Sequence, residues 1–483
     1  MRKFVVLFTV WFINMNLLAQ DFSAINDDGV RIYYNYIVKG YSVEVTCAGY
    51  YTYNGVVSIP EEVNKMKVKR IGKDAFSGCS VTSVIIPNSV ESIDDYAFFR
   101  CGALKSITIP NSVLTIGFAA FNESGLTSII IPNSVEIIER SCFSGCKYLS
   151  SVTLSQYLDD LSEGLFSGCG SLKSITIPNN VKKIGSSAFE NCKNISSIKI
   201  PDGVTRIGSS AFEGCAQLKT ISIPQNVEYI GQLTFMNCTS LKSINLPNGI
   251  REIGISFFNG CVNLSSVTIP SSVTKIYEKA FYNCRSLKSI TIPGNVTSIQ
   301  DNAFAECTNL TSVIIDPQNT DPRFERRTIG NGAFNCENLM TIYCFLKNPI
   351  AIKGKASDDR TFHIKTFRNA TLYVPAGYIE KYKNTNGWKD FATIIETDPT
   401  DLTSLRNERV KIGRRNGRLT IDEAKNGEYI YVYSMDGKYI GSSVVHNGTA
   451  EIDIRMHTGN IFIVKIGNMV NKIVLNELKK YGL

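Results

Sequence analysis

The sequence predicts a parallel β-solenoid of 23-residue units followed by a small all-β domain. Three observations carry that prediction. Phe166, Phe189, Phe212, Phe235, Phe258, Phe281 and Phe304 lie 23 residues apart, and Cys169, Cys192, Cys215, Cys238, Cys261, Cys284 and Cys307 keep the same interval. Pro178, Pro201, Pro224, Pro247, Pro270 and Pro293 repeat in step with them. Towards the C-terminus the period stops and short alternating apolar segments take over. A fixed period of this size means stacked units, each burying an apolar face against the next. Such stacks offer long, regular, solvent-facing surfaces and seldom an enclosed pocket.

Composition is globular, with 43% hydrophobic and 19% charged residues. A net charge of +8 over 483 residues is a mild bias and gives no argument for nucleic acid.

Residues 1–19 read as a secretory signal peptide. Arg2 and Lys3 precede the apolar stretch Phe4 to Ile13, and Leu17, Leu18 and Ala19 offer a cleavage site before Gln20. No cysteine follows the stretch, which argues against a lipoprotein anchor. No later run reaches the roughly 18 apolar residues of a membrane helix. The expectation is a secreted or cell-surface protein, on the exterior of the outer membrane.

Residues 20–55 are tyrosine-rich, with Tyr33, Tyr34, Tyr36, Tyr41, Tyr50, Tyr51 and Tyr53. A solenoid needs its apolar end covered, so this segment reads as an N-terminal cap. An aromatic carbohydrate platform is the alternative.

Residues 56–345 form the solenoid. In Leu172 to Gly185, Ile175 and Ile177 alternate with Ser174 and Thr176, the period of two of a half-buried strand. Pro178 cannot donate to a ladder and ends the strand. Val181 and Ile184 turn inward again. Ala188 and Phe189 point inside from a single helical or 3₁₀ turn. Asn191 and its counterparts Gly145, Gly168, Gly214, Asn237, Gly260 and Asn283 suit a left-handed backbone after that turn. Arg100, Glu123 and Glu306 break this rule, and a relaxed conformation is expected there.

Most of the 14 cysteines sit on the repeat position. In an exported protein two readings fit, a buried ladder of free thiols or a set of disulfides. Cys47, Cys142 and Cys344 lie off the column.

One strand, a turn and a short second side is the grammar of a leucine-rich repeat. The wording L-x-x-I-x-I-P-x-x-V-x-x-I-x-x-x-A-F-x-x-C resembles the BspA-like leucine-rich repeat family of bacterial surface proteins, from about Val57 to Cys344. The fold expected is a leucine-rich repeat solenoid with a C-terminal all-β sandwich. Ser155 departs from the pattern by replacing a proline. The interval from Phe304 to Phe334 stretches to 30 residues, which reads as a bulging loop.

Stacked strands sit about 4.8 Å apart, so roughly twelve units give a strip about 55 Å long. Its outward side chains form columns. Ser106, Ser151, Ser174, Ser197, Thr220, Ser243, Ser266 and Ser289 make one. Thr108, Thr153, Thr176, Lys199, Ser222, Asn245, Thr268 and Thr291 make the next, and Lys173 stands in a third with Lys105, Lys219, Lys242 and Lys288. Two readings fit: exposed strands simply favour Ser and Thr, or the strip is a long, shallow face for a protein or glycan. Trp, Tyr and Arg, the usual anchors of a tight interface, are scarce on it.

Residues 346–398 break the period. V-P-A-G-Y-I-E-K-Y-K-N-T-N-G-W-K-D-F is similar to the C-terminal cap of BspA-like solenoids, with a short helix over Tyr378 to Lys383 and with Trp388 and Phe391 packing the end. Trp388 as a ligand platform is the alternative.

Residues 399–483 are strand-rich and read as a β-sandwich, with a hairpin turning at Asp436-Gly437. Ile430 to Ile440, Gly459 to Val464 and Lys472 to Leu475 resemble the C-terminal sorting domain of type 9 secretion cargo. The chain departs from that pattern by running on from Asn476 to Leu483. The resemblance implies contact with outer-membrane secretion machinery and attachment to the cell surface; an ordinary β-domain is the alternative. Arg406, Arg409, Lys411, Arg414, Arg415 and Arg418 read as a solvated basic edge.

Catalysis finds no support. His363, His446 and His457 are the only histidines, no phosphate loop is present, and the cysteine spacing is not that of a zinc site. Asp316, Asn319 and Asp321 fit no calcium loop. No enzyme activity, cofactor or metal is expected. The expected role is binding of an extracellular protein or glycan, in adhesion by the family resemblance. A structural spacer and an accessory for glycan uptake are the alternatives.

Overall fold

The computed structural model describes residues 20–49, 51–316 and 327–397, and in the tail 411–415, 418–422, 429–434, 439–447, 449–454, 461–466 and 469–474. The chain divides into two compact units, Met1–Glu396 and Thr397–Leu483.

The first unit is a parallel β-solenoid. One turn shows its construction. Strand Ser197–Lys199 pairs in parallel with Thr220–Ser222, Ser197 opposite Thr220 and Lys199 opposite Ser222. A second strand, Arg206–Ile207, follows the proline turn and pairs with Tyr229–Ile230 in the same register. Each position therefore stacks on its copy one unit away. The sequence reading assigned one strand per unit, and the structure holds two. The second is two residues long and buries one of them, too short to show a period.

Three interior features hold the stack. Phenylalanine rings form a column, with Phe189 and Phe212 centred 5.6 Å apart and Phe212 and Phe235 5.7 Å apart, nearly parallel. Stacked aromatic pairs of this kind add about 0.5–1.5 kcal/mol each beyond burial. Beside them, cysteine thiols donate to the phenylalanine carbonyl of the unit before. Cys215 Sγ lies 3.2 Å from Phe189 O, Cys238 Sγ 3.2 Å from Phe212 O and Cys336 Sγ 2.9 Å from Phe304 O. All cysteines are free and buried, Cys47, Cys142 and Cys344 included. Outside, threonine hydroxyls such as Thr205 and Thr297 donate back to carbonyls of the preceding unit.

The turn carrying each phenylalanine is not helical. It is a chain of tight turns, with Ala188 N bonded to Gly185 O and Cys192 N to Phe189 O. Two of its residues are left-handed. After the phenylalanine, Asn191 has φ 56° and Gly214 φ 69°. Arg100, Glu123 and Glu306 keep that conformation, at 56°, 55° and 61°, where relaxation was expected. Their amides explain it: each donates to the next unit, Arg100 N to Asn122 O at 2.9 Å for example. Two residues before the phenylalanine a second left-handed position recurs, as at Ser187, Ser210 and Leu233. The side chains there carry no signature of it.

The second column of strands breaks twice. Ile137–Ile138 does not pair with Asp160–Leu161, nor Tyr229–Ile230 with Glu252–Ile253. At each break the following unit carries a large residue where its neighbours have Ala188, Ala211 or Ala280: Leu165 at the first and Phe257 at the second, both fully buried. The Phe257 ring meets Phe235 of the preceding unit edge-on at 5.5 Å. Overfilling a close-packed interior pushes neighbours apart, and a ladder spaced at about 4.8 Å has no slack. At the first break Ser162 Oγ bridges to Ile138 O at 2.7 Å.

Both ends of the ring column are covered. At the N-terminus, Phe22–Ile25, Arg31–Val38 and Ser42–Thr46 form antiparallel pairs, and the last joins Met66–Ile71 in parallel. Tyr53 packs tilted against Phe76 at 4.7 Å, and Tyr34 is buried. At the C-terminus Phe334 stacks on Phe362, against which Trp388 and Phe391 pack edge-on. The expected helix is Ile379–Asn384, and a further helix, Ile364–Asn369, precedes it.

The second unit holds two antiparallel sheets. Lys411–Arg415, Arg418–Asp422 and Thr449–Asp453 form one. Tyr439–Val444, Tyr429–Ser434, Ile461–Ile466 and Met469–Val474, in that order, form the other. Leu419, Ile421, Val432 and Ile452 are in its core. Asp436-Gly437 lies outside the described residues, as do Arg406, Arg409 and the irregular loop with Asn319 and Asp321.

Candidate functional site

The predicted hydroxyl face lies on one side of the solenoid. Ser106, Thr108, Ser151, Thr153, Lys173, Ser174, Thr176, Ser197, Lys199, Thr220, Ser222, Ser243, Asn245, Ser266, Thr268 and Ser289 are exposed, and Thr291 is half-buried. Alternation explains this, since Ile198, Ile221 and Ile244 between them point inward and are buried.

The face is less regular than expected. Ser106 and Thr108 lie outside any strand, as do Lys173, Ser174 and Thr176. The strands form separate pairs, Ser128–Ile130 with Ser151–Thr153, Ser197–Lys199 with Thr220–Ser222, and Ser243–Asn245 with Ser266–Thr268. Continuity returns from Ser289–Ile292 through Ser312–Ile315 and Thr341–Cys344 to Thr371–Pro375. Between the pairs single bonds keep the units in step, such as Thr127 N to Lys105 O at 2.9 Å and Ser196 N to Lys173 O at 3.4 Å. A ligand on this face meets a lattice of hydroxyls at unit spacing with lysines along one edge. Aromatic rings join the face at its C-terminal end, where Tyr343 and Tyr373 stack at 4.7 Å.

The second strand column carries the chemical variety that the first lacks. In order along one row stand Ile137, Asp160, Lys183, Arg206, Tyr229, Glu252 and Lys275, all exposed. The sequence reading used only the inward Val and Ile of these segments. The signal for the row was the spread of residue types between them.

The other candidates resolve into structure. Trp388 is fully buried, and its Nε1 donates to Ile350 O at 2.8 Å, so it offers no platform. Of the N-terminal tyrosines, Tyr41 and Tyr51 are exposed while Tyr34 and Tyr53 are buried; Tyr50 lies outside the described residues. Burial pushes the Cys215 thiol up to about 12 and those of Cys146 and Cys344 up to about 11, which removes the thiolate a nucleophile needs. Among the described residues no three His, Cys, Asp or Glu side chains converge as metal ligands. Among them, too, no helix is long and apolar enough to cross a membrane.

The family described as BspA type leucine-rich repeat region matches residues 69–193, 114–241, 159–284 and 252–367. Similar solved structures include a leucine-rich repeat protein from Bacteroides ovatus, 31% identical over 65% of this chain and 92% of that one, with a TM-score of 0.49. A leucine-rich cell surface protein from Faecalibacterium prausnitzii is 28% identical, covering 61% of this chain and 95% of that one, with a TM-score of 0.39. The pneumococcal vaccine antigen PcpA is 21% identical over 78% and 98%, at 0.47. No curated protein matches the chain.

Proposed function

Because the chain belongs to the BspA-type leucine-rich repeat family, we propose that it is an exported bacterial cell-surface protein that binds proteins or glycans outside the cell, in adhesion. The carrying observation is the exposed hydroxyl face, with Ser197, Thr220 and Ser243 in one column and Lys199, Ser222 and Asn245 in the next. Hydroxyls both donate and accept, so a strip of them at fixed spacing suits a long polar ligand bound by many weak contacts. The basic and apolar start of the chain supports export, and the strand pattern of 399–483 supports a sorting role for the tail. The role needs no catalytic group and no cofactor.

A protein lacking residues 1–19 is expected to bind saturably on an array of extracellular-matrix proteins and glycans. The triple variant Ser174→Glu, Ser197→Glu and Ser243→Glu is expected to lose that binding. Binding unchanged in the variant would move the site off this face. For export, protease shaving of intact cells is expected to cleave the full chain and to spare one ending at Pro399. Equal exposure of both would remove the sorting role. A structural spacer is the second reading, favoured by the monotony of the face from Ser106 to Ser289.

A further inference from the structure

A cleft of about 510 Å³ lies over the second break in the strand column. That size lies within the roughly 300–1,000 Å³ of small-ligand sites. The cleft lies where the Phe257 wedge meets the preceding unit. At regular junctions two amides cross the border: Glu228 N donates to Thr205 O, Gly231 N to Ile207 O, Thr274 N to Arg251 O and Tyr277 N to Ile253 O. At the break the matching bonds, Arg251 N to Glu228 O and Gly254 N to Ile230 O, are missing among the described residues. The backbones have moved apart there. A Cβ at Gly208 or Gly231 would meet the preceding unit's backbone at 2.4 Å, and one at Gly254 only at 3.0 Å.

Two free amides thus line one wall and two free carbonyls the other. The side chains add to this. Glu228, Arg251 and Glu252 border the cleft, and none of their side chains has a hydrogen-bond or ion-pair partner among the described residues. Tyr229 lies on the near wall and Tyr277 beyond the far one. Arg206, from the preceding unit, covers one face of the Tyr229 ring at 4.6 Å. The ring is 44% exposed and lines the cleft beside the break.

We propose that this cleft is a glycan-binding site, in which a sugar stacks on Tyr229 and its hydroxyls engage the free backbone groups, Arg251 and the two glutamates. The proposal rests on the reading that the solenoid binds ligands, and it adds to the hydroxyl face a second, glycan-specific site on the other strand column. Two considerations favour a sugar over a peptide strand. A strand needs the two edges about 9.6 Å apart, twice the ladder spacing. Close to the break the units stay bonded, Leu233 N to Ile255 O at 2.9 Å and Phe235 N to Phe257 O at 3.0 Å, and hold the gap below that. A hydroxyl, in turn, donates and accepts at once, which matches walls that present donors on one side and acceptors on the other. Arginine and carboxylates supply charge-assisted bonds, and the ring supplies an apolar face.

The test uses the full chain on an array of neutral and acidic oligosaccharides, with a library of unstructured ten-residue peptides beside it. Saturable binding to an oligosaccharide is expected. Tyr229→Ala should weaken it at least about tenfold, as loss of an aromatic anchor does, with the melting temperature unchanged. Phe257→Ala, which returns the interior to the alanine of other units, should close the cleft and abolish binding. The strand-face triple variant should keep this oligosaccharide binding and lose the ligands held by the hydroxyl face. Binding lost in the triple variant and kept in Tyr229→Ala would leave the hydroxyl-face reading standing and overturn this one. Peptides binding in place of sugars, or neither binding, would overturn it as well.

Discussion

From Cys101 to Cys336 each thiol of the column bonds to a carbonyl that belongs to another unit. Cys261 Sγ lies 3.0 Å from Phe235 O, and Cys284 Sγ 3.2 Å from Phe258 O. Where serine replaces cysteine, at Ser124, its hydroxyl sits 3.3 Å from Cys146 Sγ and the position stays polar. Burial raises these thiols, so the native state keeps protons that the unfolded chain releases from about pH 8.5 upward. The stability tied to them is whole below that pH. It falls as pH rises through about 11 for Cys146 and Cys344 and about 12 for Cys215. The melting temperature is therefore expected to hold level near neutral pH and to drop in alkali, which calorimetry across a pH series checks. A thiol reagent at about pH 8 should leave the folded protein unlabelled and label it once denatured; labelling of the folded protein would contradict the ladder. Among ring residues, Phe212→Ala should cost about 3–5 kcal/mol by chemical denaturation, since a stacked and fully buried ring leaves a cavity.

At the scale of the strand pair, ladder continuity depends on one interior position. Ala188, Ala211 and Ala280 precede their phenylalanines without effect, and so do Cys142 and Thr234, both buried. Leu165 and Phe257 interrupt the column. Amide exchange by nuclear magnetic resonance should find Arg251 and Gly254 fast where Thr274 and Tyr277, bonded to Arg251 O and Ile253 O, are slow. Phe257→Ala should slow both. Fast exchange surviving in that variant would place the cause elsewhere. The Phe, Cys and Pro columns were readable because each buried position accepts few residue types. The breaks were not, although Phe257 stood in view where an alanine was due. A sequence shows the larger side chain; whether it is absorbed or forces the backbone apart depends on its meeting Phe235 edge-on. The left-handed Ser187, Ser210 and Leu233 escaped for a related reason. Bonds to the neighbouring unit, such as Leu233 N to Ile255 O, impose their conformation, so nothing in the side chain has to favour it.

Among the described residues each unit has an apolar core of its own. One runs from Ile32 to Phe391, and the other gathers Leu419, Ile430, Val432 and Val464. Removal of everything after Glu396 is therefore expected to leave the solenoid's thermal transition in place, as calorimetry of the full and shortened chains would record. A shift of more than a few degrees would mean that the tail shares in the solenoid's stability. The stack itself has a bearing on heredity. Ring and strand contacts join a residue to its copy in an adjoining turn, 23 positions along in the regular stretch, and thiols such as Cys215 reach 26 positions back to a phenylalanine carbonyl. Unequal recombination between such alike coding segments adds or deletes a complete turn, and the new neighbours meet the same partners as the old. Length can thus drift between lineages while the interior stays unchanged. A turn marked by Phe257 cannot be traded so freely, since its loss would carry the cleft away with it.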